Sequence, residues 1–430
     1  MRRSTTLTVF GAAVVAVALA APAGYRAATA EELAGPAPCI DTTVEATFEE
    51  GRLDTSPVGM EIIQRGGFTA LIDEFATALC GVPDTASAGT AVERHGQALW
   101  KAAVSRAQGA GEAGALPADD DRPLYWARLA MARALRQWVP DFAATPADRD
   151  GWQRRFEYAA RGLTTSTFAT DEETRKLFVS GFDPFALDDE IRHGNPSGAA
   201  VLRLDGRVLT VNGTRVQVQA VVLPVRFQDF TDGIVEDAFR PHLGDGPQGA
   251  DMFTTISQGQ PGFFDLEVFN GRRRSSVFGD NLGLQGGGET RYPTVAPGVG
   301  PGPEFIRSTL PLEPMQAAGT GAAFPVRINT WVLEIPAGSR TPTERPDGPT
   351  AGSVAVQGGG GGYLSNESAY RVTRLVLESG QPLPAGHLHT PELLFDPANG
   401  AEITDPTLEA NRAAIITEVE QILLAGATAS

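Results

Sequence analysis

Cysteine is scarce: Cys39 and Cys80 are the only two in 430 residues. In an oxidising compartment such a pair predicts one disulfide, tying the start of the mature chain to the end of its first helix, with two free thiols as the alternative. No cysteine is then left for catalysis, and no Cys/His cluster has metal-ligand spacing. Basic residues are also short, with 35 Lys and Arg against 52 Asp and Glu and a net charge of -17. That balance argues against nucleic acid and anionic membrane as partners. Long apolar runs are missing except for Leu7–Ala21. Arg2 and Arg3 precede it, and small residues after it offer cleavage after Ala20, Ala23 or Ala30. This is the pattern of a signal peptide over residues 1–30, too short and too rich in alanine for a membrane span. The expectation is a secreted, extracellular protein with no stable span after cleavage; a retained anchor is the alternative.

The hydrophobic content of 42% is that of an ordinary globular protein, and the length accommodates two domains. Apolar residues recur at helical spacing in Met60–Leu79, Ala91–Ala107, Pro123–Val139 and Arg149–Leu163, with Trp100, Trp126, Trp138 and Trp152 as bulky anchors. Gly/Pro/Asp-rich breaks separate them. Residues 31–170 therefore read as a small all-helical domain without evident chemistry. After Thr170 come β-branched runs at Leu177–Ser180, Val201–Leu204, Val208–Val211, Val216–Leu223, Met252–Ser257 and Phe324–Leu333. Helical stretches at Arg371–Leu377 and Leu408–Leu424 follow. Strands alternating with helices predict, for residues 171–430, an α/β three-layer sandwich with a mainly parallel sheet. Its chemistry is expected at the carboxyl ends of strands. Leu282–Gly302 and Pro336–Gly352, rich in Gly and Pro, read as surface insertions.

The stretch Gln357–Thr373, QGGGGGYLSNESAYRVT, holds a glycine run that leads through Tyr363 and Leu364 to Ser365 and a helical pattern. Glycine lets backbone approach a ligand, and a helix start collects free N–H groups and the positive dipole end. A nucleophile whose reaction develops an oxyanion suits that place. The same residues also fit a flexible loop with Ser365 as an N-cap. Of the five histidines, His95 lies in the helical region, and His193 and His242 stand in loop-like contexts. His387 and His389, in AGHLHTP, share one face if that segment is a strand, so either is a candidate general base. Position alone does not choose the carboxylate that would orient it.

Several short motifs, in order from Leu177 to Phe395, carry a resemblance to pyroglutamyl peptidase I, the pyrrolidone-carboxylate peptidases. VSGFDPF (Val179–Phe185) is similar to that family's opening TGFEPF-type motif, followed by NPS (Asn195–Ser197) and LPV (Leu223–Val225). Gly259–Gln260 matches the start of GQAGG, and STLPLEPM (Ser308–Met315) the STLP stretch. GYLSN (Gly362–Asn366) resembles the nucleophile motif AGTYLCN, and GHLHTP (Gly386–Pro391) the histidine segment GFIHVP. The resemblance implies His389 as the catalytic histidine and Glu267 as the carboxylate. The match to Glu267 depends on a gap, with Asp265 as its competitor. It also implies an acyl pocket walled by Phe182, Phe185, Val225, Phe278, Tyr363 and Leu364, with Gln260 in reach of a lactam, and no cofactor or metal.

Two departures stand out. Ser365 occupies the place of the family's cysteine, and serine, a far weaker acid than a thiol, needs a base to take its proton during attack. Arg272, Arg273, Arg274 and Val277 stand where the family has acidic residues and an arginine. The implied function is a secreted peptidase-like hydrolase, of the omega-peptidase type, using a Ser–His–Glu site. It would remove pyroglutamate, or a related small acyl group, from the N-terminus of a peptide or small lactam-containing substrate. The alternative is a catalytically inactive extracellular binding module of the same fold.

Overall fold

The computed structural model describes residues 39–111, 114–169 and 173–429. The expected signal segment, residues 1–30, lies outside them. No helix among the described residues is long and apolar enough to cross a membrane.

The first part is helical: α1 (Val58–Gly66), α2 (Thr69–Cys80), α3 (Thr85–Ala107), α4 (Arg122–Gln137) and α5 (Pro146–Ala159). The single helix expected over Met60–Leu79 is broken in two. Gly67 adopts φ +81 at the end of α1, and its N–H and that of Phe68 close on Gln64 and Ile63 carbonyls. Cys39 and Cys80 form the expected disulfide, with Cα atoms 5.5 Å apart.

A seven-stranded sheet follows, built from β1 (Arg175–Phe182), β2 (Val208–Val211), β3 (Thr214–Leu223), β4 (Met252–Gln258), β5 (Phe264–Glu267), β6 (Val326–Asn329) and β7 (Ala385–Thr390). Its order is β6-β5-β7-β4-β1-β3-β2. The pairings β1/β3, β1/β4, β7/β4 and β6/β5 are parallel, and β7/β5 and β2/β3 antiparallel, so the sheet is mainly parallel as expected. Val201–Leu204, expected as a strand, lies instead in helix α6 (Pro196–Leu204). Asn195 caps its start by accepting from Ser197 N–H, Pro196 sits in its first turn, and burial on nearly all sides explains the unbroken apolar run. Phe324–Leu333 splits between β6 and a short strand of a separate three-stranded sheet.

Side chains alternate across the sheet. Leu177, Val179, Ile256, Leu266 and Leu388 face one apolar layer, shared with α6, the terminal helix α8 (Pro406–Thr428) and the N-terminal helices. Phe178, Phe182, Val221, Leu223 and Phe253 face the other, covered by α7 (Leu364–Ser379). The result is three layers. The first apolar layer runs without a break from residues of α1–α5 into the α/β part. Buried ion pairs cross the same junction: Asp183 accepts from both Arg128 and Arg161 at 2.6 Å. Glu157 bonds Arg161 and Arg226 at 2.8 Å.

Candidate active site

Register places a polar row on the sheet face beneath α7. His387 lies opposite Thr255 on β4 and Glu267 on β5; His389 lies opposite Ser257 and Asp265. Arg327 and Asn329 on β6 lie opposite Asp265 and Glu267. Directly opposed residues point to the same face, so these eight side chains share one surface.

His389 Nδ1 lies 2.7 Å from Glu267 Oε1, and Asn329 Nδ2 donates to Glu267 Oε2 at 2.8 Å. Glu267 is 1% exposed at its side chain against 12% for His389. Burial pushes the Glu267 carboxyl above the ordinary range, while the His389 and Asn329 bonds oppose that shift. Asp265 is engaged elsewhere, accepting from Arg327 Nε and Nη2 at 2.8 and 2.7 Å. Of the two competing carboxylates, Glu267 is the one brought to His389. The bond through Nδ1 leaves the Nε2 edge of His389 free of Glu267.

The glycine run closes over this pair. Gly358 and Gly361 exchange N–H···O bonds of 3.1 and 3.0 Å, a tight turn for which Gly361 takes φ +76. A Cβ on Gly359 would stand 1.8 Å from Glu267 Oε2, so only glycine lets the loop pass there. The chain then enters α7, with Tyr363 rather than Ser365 as its N-cap. Ser365 lies in the first turn, where N–H groups lack intrahelical partners. Asn366 anchors that turn: its Oδ1 accepts from Gly271 N–H and its Nδ2 donates to Gly271 O, both at 2.7 Å.

The arginine run has a structural account. Arg274 is buried and donates to Glu367 at 2.5 and 2.9 Å, and Glu367 also accepts from Arg371 within α7. Arg272 and Arg273 pair with Glu304. The cations are neutralised by partners and steady the loop and helix that carry Ser365.

Ser365 lines a cleft together with Phe182, Phe185, Asn195, Val225, Ser257, Gln258, Tyr363 and Leu364. It opens past the carboxyl ends of β1, β3 and β4, where an open α/β sheet places ligands. Two residues expected at the pocket stand apart from this lining. Phe278 is 75% exposed, on a loop held by the Tyr363 hydroxyl bonding to Gly279 O at 2.9 Å. Gln260 is exposed beyond the end of β4; Gln258, the last residue of that strand, lines the cleft. Asn329 and Ser257 carry no signal in the local sequence, and His387, one of the two candidate bases, is buried between Thr255 and Ser257 while Glu267 goes to His389. Only strand register brings these residues together.

Residues 27–157 match the family of the PA0049 N-terminal domain, and residues 176–304 and 328–394 that of the PA0049 C-terminal domain. The uncharacterized protein PA0049 of Pseudomonas aeruginosa is 33% identical, with 88% of each chain covered. This chain belongs to the PA0049 family. Among solved structures, a mutant pyrrolidone carboxyl peptidase of Pyrococcus furiosus is similar at 19% identity and a TM-score of 0.39, covering 58% of this chain and 97% of that one. Pyroglutamyl peptidase I of Bacillus amyloliquefaciens is similar at 17% identity and a TM-score of 0.40, covering 59% and 98%. Glu267, Asn329, the glycine loop, Ser365 and His389 all fall inside the segments matched to the PA0049 C-terminal domain.

Proposed function

We propose that this PA0049-family protein is an exported hydrolase that removes pyroglutamate, or a related small acyl group, from the N-terminus of peptides. The observation that carries the reading is the 2.7 Å bond between His389 and a buried, Asn329-held Glu267 under the glycine loop that leads to Ser365. The motif resemblance supplies the acyl class. An apolar cleft with a few placed polar groups suits a neutral five-membered lactam.

In this mechanism the Ser365 hydroxyl attacks the acyl carbonyl and its proton passes to His389 Nε2. The oxyanion forms at the positive end of α7. Glu267 holds the ring and stabilises the imidazolium. His389 then protonates the leaving amine as the peptide bond breaks, leaving the acyl group as an ester on Ser365. Water, deprotonated by His389, attacks that ester, releases the free acid and restores the serine hydroxyl. Export and the Cys39–Cys80 disulfide favour serine here, because an exposed thiolate outside the cell is prone to oxidation.

The test is steady-state hydrolysis of a pyroglutamyl fluorogenic amide by folded wild type and variants. Ser365→Ala and His389→Ala should abolish turnover, and Glu267→Gln should lower kcat by about 10⁴-fold, as for loss of the carboxylate in other triads. Ser365→Cys should remain active and become sensitive to alkylation. Absence of turnover in both wild type and Ser365→Cys replaces this reading with that of an inactive binding module.

A further inference from the structure

Ser257 lines the cleft and is also one end of a buried chain of three side chains. Its Oγ lies 2.8 Å from His387 Nε2, and His387 Nδ1 lies 2.7 Å from Thr255 Oγ1. His387 and Thr255 are 0% exposed, and Ser257 2%. What Ser257 presents to the cleft depends on which nitrogen of His387 carries its proton. His387, in this dry setting and with the His389 ring 4.7 Å away, is held neutral, so it has one N–H and one acceptor nitrogen. The Thr255 hydroxyl has a second acceptor in reach, Gly386 O at 3.4 Å. When its proton goes there, Thr255 accepts from Nδ1–H. Nε2 then accepts from the Ser257 hydroxyl, and the Ser257 lone pairs are left for the cleft. This arrangement gives every proton in the chain an acceptor.

We propose that Ser257 is a specificity residue that accepts a hydrogen bond from an N–H of the bound acyl ring, and that His387 is a positioning residue that fixes this polarity. The proposal rests on the acyl-hydrolase reading above and narrows its substrate to a lactam. A lactone, with oxygen in place of the ring N–H, would set lone pair against lone pair, and a site built to accept a hydrogen bond rejects such an analogue.

The experiment compares kcat/KM of the full chain for a pyroglutamyl coumarin amide and for the analogue whose ring N–H is replaced by oxygen. Wild type should prefer the lactam by about tenfold or more, the value of one hydrogen bond in a desolvated site. Ser257→Ala should erase most of that ratio, chiefly through KM. His387→Phe frees the serine proton to point into the cleft and should move the ratio toward the lactone. Ser257→Ala, a small change at one hydroxyl, keeps the test open if His387→Phe does not fold. A lactam preference that survives Ser257→Ala overturns the specificity role alone. A wild-type preference for the lactone overturns the assigned polarity. If wild type turns over neither compound and calorimetry detects binding of neither, the hydrolase reading falls and this proposal falls with it.

Discussion

His387 and His389 sit two residues apart on one strand face, yet their surroundings divide them. His387 is sealed between Thr255 and Ser257 and held neutral, whereas His389 reaches a carboxylate and keeps an exposed edge. A second residue with a shifted titration is Asp121, at the junction with the helical part. Its Oδ2 accepts from Asn195 N–H at 2.8 Å, and its Oδ1 is buried without a partner among the described residues. Burial, and then the neighbouring Asp120 carboxylate, push the Asp121 carboxyl up to about 7. In the unfolded chain an aspartate titrates near about 3.9. Between those values the native state binds the extra proton. The stability Asp121 contributes is therefore complete below the unfolded pKa and is lost as pH rises through the folded one. Asp121→Asn keeps an oxygen for Asn195 and removes the titration. Its Tm relative to wild type should climb by several degrees between about pH 5 and about pH 8. A difference that stays flat across that range means the carboxylate is already charged in the native state.

At the scale of elements, the decisive unit is the loop Gly358–Gly362 with the first turn of α7. Its shape follows from two different demands on glycine. At Gly359 the demand is space, since Glu267 Oε2 occupies the place of a side chain. At Gly361 it is backbone conformation, with φ +76 and nothing within 4 Å of a Cβ. The two substitutions should therefore separate. Gly359→Ala should push Glu267 off His389 and, for the proposed hydrolysis, lower kcat by about a hundredfold, the cost of a misplacement of about 1 Å. Gly361→Ala should cost about 1–2 kcal/mol of stability, the strain of the left-handed region, and keep most of kcat. Kinetics and denaturant unfolding on both variants check this, and equal losses of activity would remove the distinction.

Across the whole molecule, the helical and α/β parts share a core. Leu53, Trp100, Trp126 and Phe156 belong to the same apolar layer as Leu177, Val218 and Leu388. Asp183, within the VSGFDPF motif, is buried against Arg128 and Arg161 of the helical part. Arg122 donates to the carbonyls of Arg192 and Ile403, both at 2.7 Å. A chain beginning at residue 173 would lose the helical residues of that layer and leave Asp183 without its cations, a loss of about 3–5 kcal/mol for a buried charge stripped of its partner. Such a fragment is expected to be insoluble or to lack near-ultraviolet circular dichroism, while the full chain folds cooperatively. A soluble fragment with dispersed amide resonances would show that the α/β part supplies its own core.

Local pattern by itself determined the division into helices followed by an α/β sheet, because periodicity and turn residues act over a few positions. It also placed Ser365 where a glycine loop becomes a helix, and set His387 and His389 on one face of their segment if it is a strand, which β7 is. The tertiary structure decided the rest. Val201–Leu204 is helical because α6 is buried nearly all round, and an apolar run buried on all sides carries no period to read. Glu267 and Asp265 lie two apart on the same face of β5, indistinguishable by pattern; register against β6 and β7 gives one to His389 and the other to Arg327. Arg274 lies 93 positions from the Glu367 it neutralises, and Ser257 lies 130 from His387. Such pairings arise only when strands and helices distant in sequence are packed together, and no local spacing encodes them.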